Sequence, residues 1–184
     1  MSRAGTCDDR DVAGSKVKQK SVRNMVLSLA VTVLAAGVVY LFVPHDDGTP
    51  DLPRVDYRVE LLTARRAASY PVVAPQGLPD TWKPTSVRFQ GDKFDAWHLG
   101  YHTPDGGYVQ VQQSMEKADD FIEQASQGGH RTDVTERIGD RTWTRYTGGR
   151  YDALVSREDG ATTVVAGTGS FGQLTEMAKA LRAE

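Results

Sequence analysis

Gly167, Gly169 and Gly172 follow the G-x-G-x-x-G spacing that lets backbone N–H groups approach a pyrophosphate at the start of a helix. A dinucleotide site also needs an acidic residue roughly twenty positions on and a second parallel strand. Neither follows Gly172 up to Glu184. We therefore expect no cofactor, and read the glycines as a strand-to-helix corner. Ser170 lies in the same stretch, but Gly169-Ser170-Phe171-Gly172 is not the G-x-S-x-G elbow of an acyl-transfer nucleophile. It is expected to cap the helix that follows.

His98 and His102 have the i, i+4 spacing of a zinc pair on a helix, yet their surroundings alternate like a strand. On a strand four residues span about 13 Å at 3.3 Å each, too far for one metal ion, so no metal is expected and the pair belongs to a solvated strand face. The neighbouring carboxylates Asp119-Asp120 and Glu158-Asp159 point apart and are expected in solvent, without an acid/base role. The aromatic residues have more ligand-binding character. Most should be core, but Trp143 and Tyr151 beside Arg141, Arg145 and Arg150 would form a shallow platform for a glycan or a partner protein if exposed. These five residues are the candidate binding surface; no catalytic residue is assigned.

The elements that must position these residues are legible in the periodicity. A helix is expected over 56–68, capped by Asp56, with Val55, Val59 and Leu62 on its inner face. Pro71, Pro75, Pro79 and Pro84 then impose an extended segment lying over the domain surface, with Trp82 as its packing anchor. Strands follow over 85–90, 96–102 and 108–113, the last two joined by a turn at Thr103-Pro104-Asp105-Gly106-Gly107. A helix over 116–127 buries Ala118, Phe121, Ile122 and Ala125 and stops at Gly128-Gly129. A four-strand meander covers 132–138, 141–147, 151–157 and 161–166. The last helix, 171–182, opens with a Ser170/Gln173 capping box. The expected fold is α+β, a largely antiparallel sheet of about seven strands with helices packed on one face.

Ahead of that domain, residues 25–43 form an uncharged apolar run long enough to cross a bilayer. Lys16, Lys18, Lys20 and Arg23 precede it, and Asp46 and Asp47 follow. The positive-inside bias puts the amino terminus in the cytoplasm. The expected layout is a basic cytoplasmic tail (1–24), one transmembrane helix (25–43), a Pro/Asp-rich stalk (44–54) and an extracytoplasmic domain (55–184). A cleaved signal peptide ending near Gly37 is the competing reading of the same run. The chain's formal net charge is −2, and the leader's cations leave the outer domain more acidic than the whole. That argues against a nucleic-acid partner, which needs a basic face. The single cysteine, Cys7, precedes the run, so the outer domain is held without disulfides.

At YPVVAPQGLPDTWKPTSVRF, WHLGYHTPDGGYVQVQQS, GDRTWTRYTGGRYDALVSR and TTVVAGTGSFGQLTEMAKAL the chain resembles a family of actinobacterial single-pass envelope proteins, domain of unknown function 4245. Trp82, Trp97, Trp143 and the proline run fall in the family's order. The resemblance implies an anchored domain in the cell envelope and brings no catalytic residues. The function expected is a non-enzymatic, single-pass membrane protein whose outer domain binds an envelope component or partner protein. An envelope sensor signalling through its membrane segment is the alternative, followed by a secreted protein or enzyme.

Overall fold

The computed structural model describes residues 15–42, 54–158 and 160–183. Residues 1–14 of the expected tail, Val43 of the expected transmembrane helix, nearly all of the expected stalk, Asp159 and Glu184 lie outside the described residues. The chain divides into two units, Met1–Gly48 and Thr49–Glu184.

The first unit carries helix α1, Ser15–Phe42. Its apolar part, Val22–Tyr40, is 19 residues long and unburied, which at 1.5 Å per residue gives about 28 Å, the hydrocarbon thickness of a bilayer. Inside it the Thr32 hydroxyl donates to the Ser28 carbonyl at 2.9 Å, so that polar group is satisfied within the helix, as an apolar medium requires.

The second unit contains α2 (Arg58–Ala67), β1 (Ala74–Pro75), β2 (Lys83–Gln90), β3 (Ala96–His102), β4 (Tyr108–Ser114), α3 (Ala118–Ser126), β5 (His130–Ile138), β6 (Arg141–Thr147), β7 (Asp152–Glu158), β8 (Ala161–Gly167), α4 (Phe171–Ala180) and β9 (Leu181–Arg182). Seven strands form one sheet in the order β2-β3-β4-β8-β7-β6-β5, and every neighbouring pair is antiparallel. It is two meanders joined where β4 pairs with β8, Val111 opposite Val165.

The expected antiparallel sheet is therefore present, but its helices divide between the two faces. Successive residues of a strand point to opposite sides, and in β8 Val165 belongs to the cluster with Leu99, Val111, Leu154, Leu174 and Met177. Val164 and Ala166 belong to the cluster with Phe121, Ile122 and Ala125. So α4 lies on one face and α3 on the other. β8 is buried throughout because both its faces are covered, and burying Phe121 or Ile122 contributes on the order of 1.5–3 kcal/mol each.

Helix α2 inverts its expected face. Val59 and Leu62 are exposed, Val59 at 74%, whereas Tyr57, Leu61 and Ala64 pack on the α4-side cluster. Both sets have helical spacing, and tertiary contact decides between them. The Asp56 carboxylate accepts from Arg58 N at 3.0 Å, one residue ahead of the cap position at Tyr57. Glu60 reaches across to accept the Phe89 N–H at 3.1 Å, satisfying a donor on the β2 edge.

The proline-rich segment is also more deeply placed than expected. Val72, Val73 and Ala74 are buried. Gln113, itself buried, accepts from Val73 N at 2.7 Å and donates to Pro71 O at 3.3 Å and to Thr163 Oγ1 at 3.1 Å. Trp97 Nε1 donates to Val73 O at 3.1 Å. Trp82 is buried as the expected anchor. The Ser170/Gln173 capping box opens α4, which stops at Ala180 because Leu181 and Arg182 extend to pair with Pro75 and Ala74.

Candidate functional site

The five residues of the expected platform do not come together. Trp143 is 1% exposed and sits in the α4-side core, which removes it from any surface. Its Nε1 has no hydrogen-bond partner among the described residues. Strand alternation places Arg141 and Arg145 on the same side as Trp143. Arg141 donates to Thr163 Oγ1 at 3.2 Å. Arg145 pairs with Glu136 at 3.0 Å and lies 4.6 Å from the Phe171 ring centroid. Tyr151 instead packs on the α3-side cluster, 6.2 Å from Tyr108 between ring centroids, and the Arg150 guanidinium stands 5.8 Å from its ring. The aromatic pattern marked a core, split by the sheet.

The concave surfaces lie elsewhere, on the α3 face. Helix α3 packs over β7 and β8 at the middle of the sheet, leaving a groove on each flank. The flank over β5 and β6 holds a cavity of about 560 Å³ lined by Asp119, Glu123, His130, Arg131, Tyr146 and Arg157 among others. Its charges are balanced, and Arg157 is paired with Asp119 at 2.8 Å. Asp119 and Asp120 are solvated, as expected, each with a cation beside it.

The other flank, over β2, β3 and β4, holds a cavity of about 380 Å³, within the range of small-ligand sites. Arg88, Lys93 and Glu116 supply its charge, Gln90, Gln112 and Gln124 its amides, and Phe94 its aromatic rim. Phe94 is 62% exposed. It sits in the β2–β3 turn with φ +54°, followed by Asp95 at +53°. A left-handed backbone costs a residue with a Cβ about 1 kcal/mol or more, and Phe has no side-chain oxygen with which to offset it.

That conformation is held from several directions. The Phe94 carbonyl accepts from Met115 N at 3.0 Å and from Ser114 Oγ at 3.2 Å. The Asp95 carboxylate accepts from Ser69 N at 2.9 Å, and the Asp95 carbonyl accepts from the Tyr70 hydroxyl. Burial first, and the Asp95 carboxylate second, raise the Tyr70 pKa above the usual phenol value, keeping it a donor. The turn is thus rigid, and it presents an apolar ring to solvent.

A polar cluster continues this face. His98 Nε2 lies 3.1 Å from Ser86 Oγ and 3.5 Å from the Tyr108 hydroxyl, and Gln110 Nε2 donates to Ala125 O at 2.9 Å. Gly100, between them, has no room for a Cβ, which would run into the hydroxyls of Ser86 and Tyr108. The strand face at His98 departs from the expected solvated one: it is half-buried and hydrogen-bonded to residues of the neighbouring strands. A serine this close to an imidazole has the spacing of a nucleophile and its base. The charge acting on the ring, however, is the Arg88 cation, which together with the larger effect of burial lowers the His98 pKa below its usual value. In the Ser-His-Asp arrangement a carboxylate supports the imidazolium, and the charge acting on His98 is of the opposite sign.

The lowered pKa has a consequence for stability. Below the unfolded value of about 6.5 the unfolded chain takes up a proton that the folded His98 refuses, so stability is fully present above that pH and falls as pH drops toward the folded value. Urea titration of the full chain in detergent should give a lower midpoint at pH 5.5 than at pH 7.5. His98→Gln should flatten the difference, and an unchanged pH dependence in that variant would assign the effect to other groups.

No group of His, Cys, Asp and Glu among the described residues has the geometry to hold a metal. Gly167, Gly169 and Gly172 make the strand-to-helix corner between β8 and α4, with Ser170 as the N-cap. A Cβ on Gly167 would run into the backbone carbonyl of Tyr108, and one on Gly169 would crowd Gln173 Oε1 and Val109 Cγ2, but Gly172 meets nothing closer than 3.5 Å. The first two glycines serve close packing. No curated protein and no solved structure matches the chain. The family model described as protein of unknown function (DUF4245) matches residues 18–181, taking in the apolar helix, the sheet and both grooves, and the chain belongs to that family.

Proposed function

We propose that the chain is a non-enzymatic, membrane-anchored binding protein whose domain stands outside the cell membrane and takes an envelope component or partner protein into the groove beside α3. The observation that carries the reading is Phe94, an exposed aromatic side chain held in a left-handed turn at the mouth of that groove. Strain and exposure together are unfavourable to folding, and such features concentrate where a ligand is met. The helix Val22–Tyr40 supports anchoring. Lys16, Lys18 and Lys20 ahead of it, with Arg23 at its first turn, favour a cytoplasmic amino terminus. The Arg88 charge beside His98 supports a binding role over a hydrolytic one.

Cys7 is the chain's own topology probe, being its single cysteine. In intact spheroplasts a membrane-impermeant maleimide should leave Cys7 unlabelled, and should label a cysteine introduced as Val59→Cys on exposed α2. The reverse pattern would overturn the orientation. The full-length 20.1 kDa chain should stay in the membrane fraction; release of a shortened domain would mean cleavage of the apolar run. A hydrolase or transferase activity lost in Ser86→Ala or His98→Gln would defeat the non-enzymatic part.

A further inference from the structure

We propose that the groove between α3 and strands β2–β4 is a saccharide site that selects a sugar bearing an anionic group. This assignment rests on the binding role proposed above and names its ligand class. Gln90, Gln112 and Gln124 line one cavity with Phe94 at its rim. A primary amide offers a donor and an acceptor side by side, the complement of two adjacent ring hydroxyls, and an exposed aromatic ring offers a flat apolar surface to the C–H face of a pyranose.

The anionic preference comes from charge. Arg88 and Lys93 face one carboxylate, Glu116, in the same lining, so the groove carries an excess cation in a domain that is otherwise acidic. The φ +54° turn, pinned through the Phe94 carbonyl, fixes the backbone that carries the ring before the ligand arrives, which lowers the ordering cost of binding. A protein partner fits less well. Protein interfaces carry a contiguous apolar centre, whereas the exposed apolar side chains beside this groove are Phe94 and its neighbour Met115.

The test uses the full chain in detergent and isothermal titration calorimetry with oligogalacturonate as the acidic probe. Maltohexaose serves as the neutral one, and inorganic phosphate as the anion without a sugar. Oligogalacturonate should bind, maltohexaose should bind more weakly, and phosphate alone should not bind measurably. Phe94→Ala should weaken oligogalacturonate roughly tenfold or more, while Phe94→Tyr, which keeps the ring, should retain it. Lys93→Gln should narrow the gap between acidic and neutral probes, and Arg131→Gln in the opposite groove should change nothing.

Absence of oligogalacturonate binding, equal binding of phosphate, or binding indifferent to both Phe94→Ala and Lys93→Gln would overturn the saccharide assignment. A photo-crosslinking residue at position 94, used in intact cells, separates the two levels of the proposal. Crosslinks to a protein without saccharide binding would overturn the ligand class and keep the binding role. No crosslinked envelope component of any kind would remove both.

Discussion

Gly167→Ala is expected to leave almost no folded protein, while Gly172→Ala, five residues away in the same glycine pattern, is expected to be tolerated. The difference is steric. The β8 backbone passes the β4 backbone at Tyr108 so closely that a single added methyl on Gly167 would overlap the Tyr108 carbonyl carbon and oxygen and the Val109 Cα. These are main-chain atoms of a paired strand, Val109 lying opposite Gly167, and they cannot move without breaking the ladder. Overpacking a core typically costs about 1–3 kcal/mol and occasionally more, and here it falls against main-chain atoms that cannot repack, at the seam joining the two meanders. A loss of roughly 5 kcal/mol or more is the expected size, equal to the whole stability of a domain at the low end of the usual range of about 5–15 kcal/mol. At Gly172, in the first turn of α4, an added methyl meets Ser170 Oγ at 3.5 Å, an ordinary van der Waals contact, and alanine is the better helix former by about 1 kcal/mol. Circular dichroism and urea midpoints of the two variants should differ sharply; equal midpoints would refute the packing explanation of the motif.

Gln113→Ala carries the second large effect. The amide of this buried side chain completes three hydrogen bonds, to Val73 N, Pro71 O and Thr163 Oγ1. Alanine would leave the Val73 N–H without an acceptor beneath the proline-rich segment and open a cavity at the same place. An orphaned buried donor costs about 1–3 kcal/mol, and the lost volume adds to it. We expect a destabilisation of about 3 kcal/mol, read as a lower urea midpoint. Gln113→Glu should also destabilise: a carboxylate keeps the acceptor for Val73 but loses the donor to Pro71 and Thr163. A neutral effect of Gln113→Ala would mean that the segment is held by its other contacts, among them Trp97 Nε1 to Val73 O and the pairing with Leu181–Arg182.

These two residues mark the boundary of what the sequence discloses. Local signals were faithful. The period-two alternation through Trp97, Leu99 and Tyr101, the turn before Tyr108 and the Ser170/Gln173 box each specify their structure through neighbours a few residues away, and the helices and seven main strands follow from them. Pairing of β4 with β8, by contrast, joins residues such as Val111 and Val165 whose separation leaves no periodic trace. The same holds for the two-residue strand Leu181–Arg182, too short to show alternation.

The candidate site was less legible for a related reason. The platform of Trp143 and Arg145 was conditional on exposure, with most of the aromatics expected in the core, and burial is a property of the folded sheet. Phe94 sits in Gly91-Asp92-Lys93-Phe94-Asp95, where composition indicates only a turn; its left-handed backbone follows from contacts with Ser114, Met115, Ser69 and Tyr70. Ser86, His98 and Tyr108 lie on three different strands, brought together by register. Two positive-φ residues without glycine have no sequence signature.

The pairing of Ala74–Pro75 with Leu181–Arg182 also sets a schedule. Synthesis delivers the chain from its amino terminus, so the buried segment Val72–Ala74 emerges long before the strand that locks it and before β8, which β4 requires as a neighbour. The β2–β3–β4 meander must wait with one edge unpaired until nearly the whole domain has been made. The sheet can therefore close only late in synthesis, and until then the unpaired β4 edge is open to pairing with other chains.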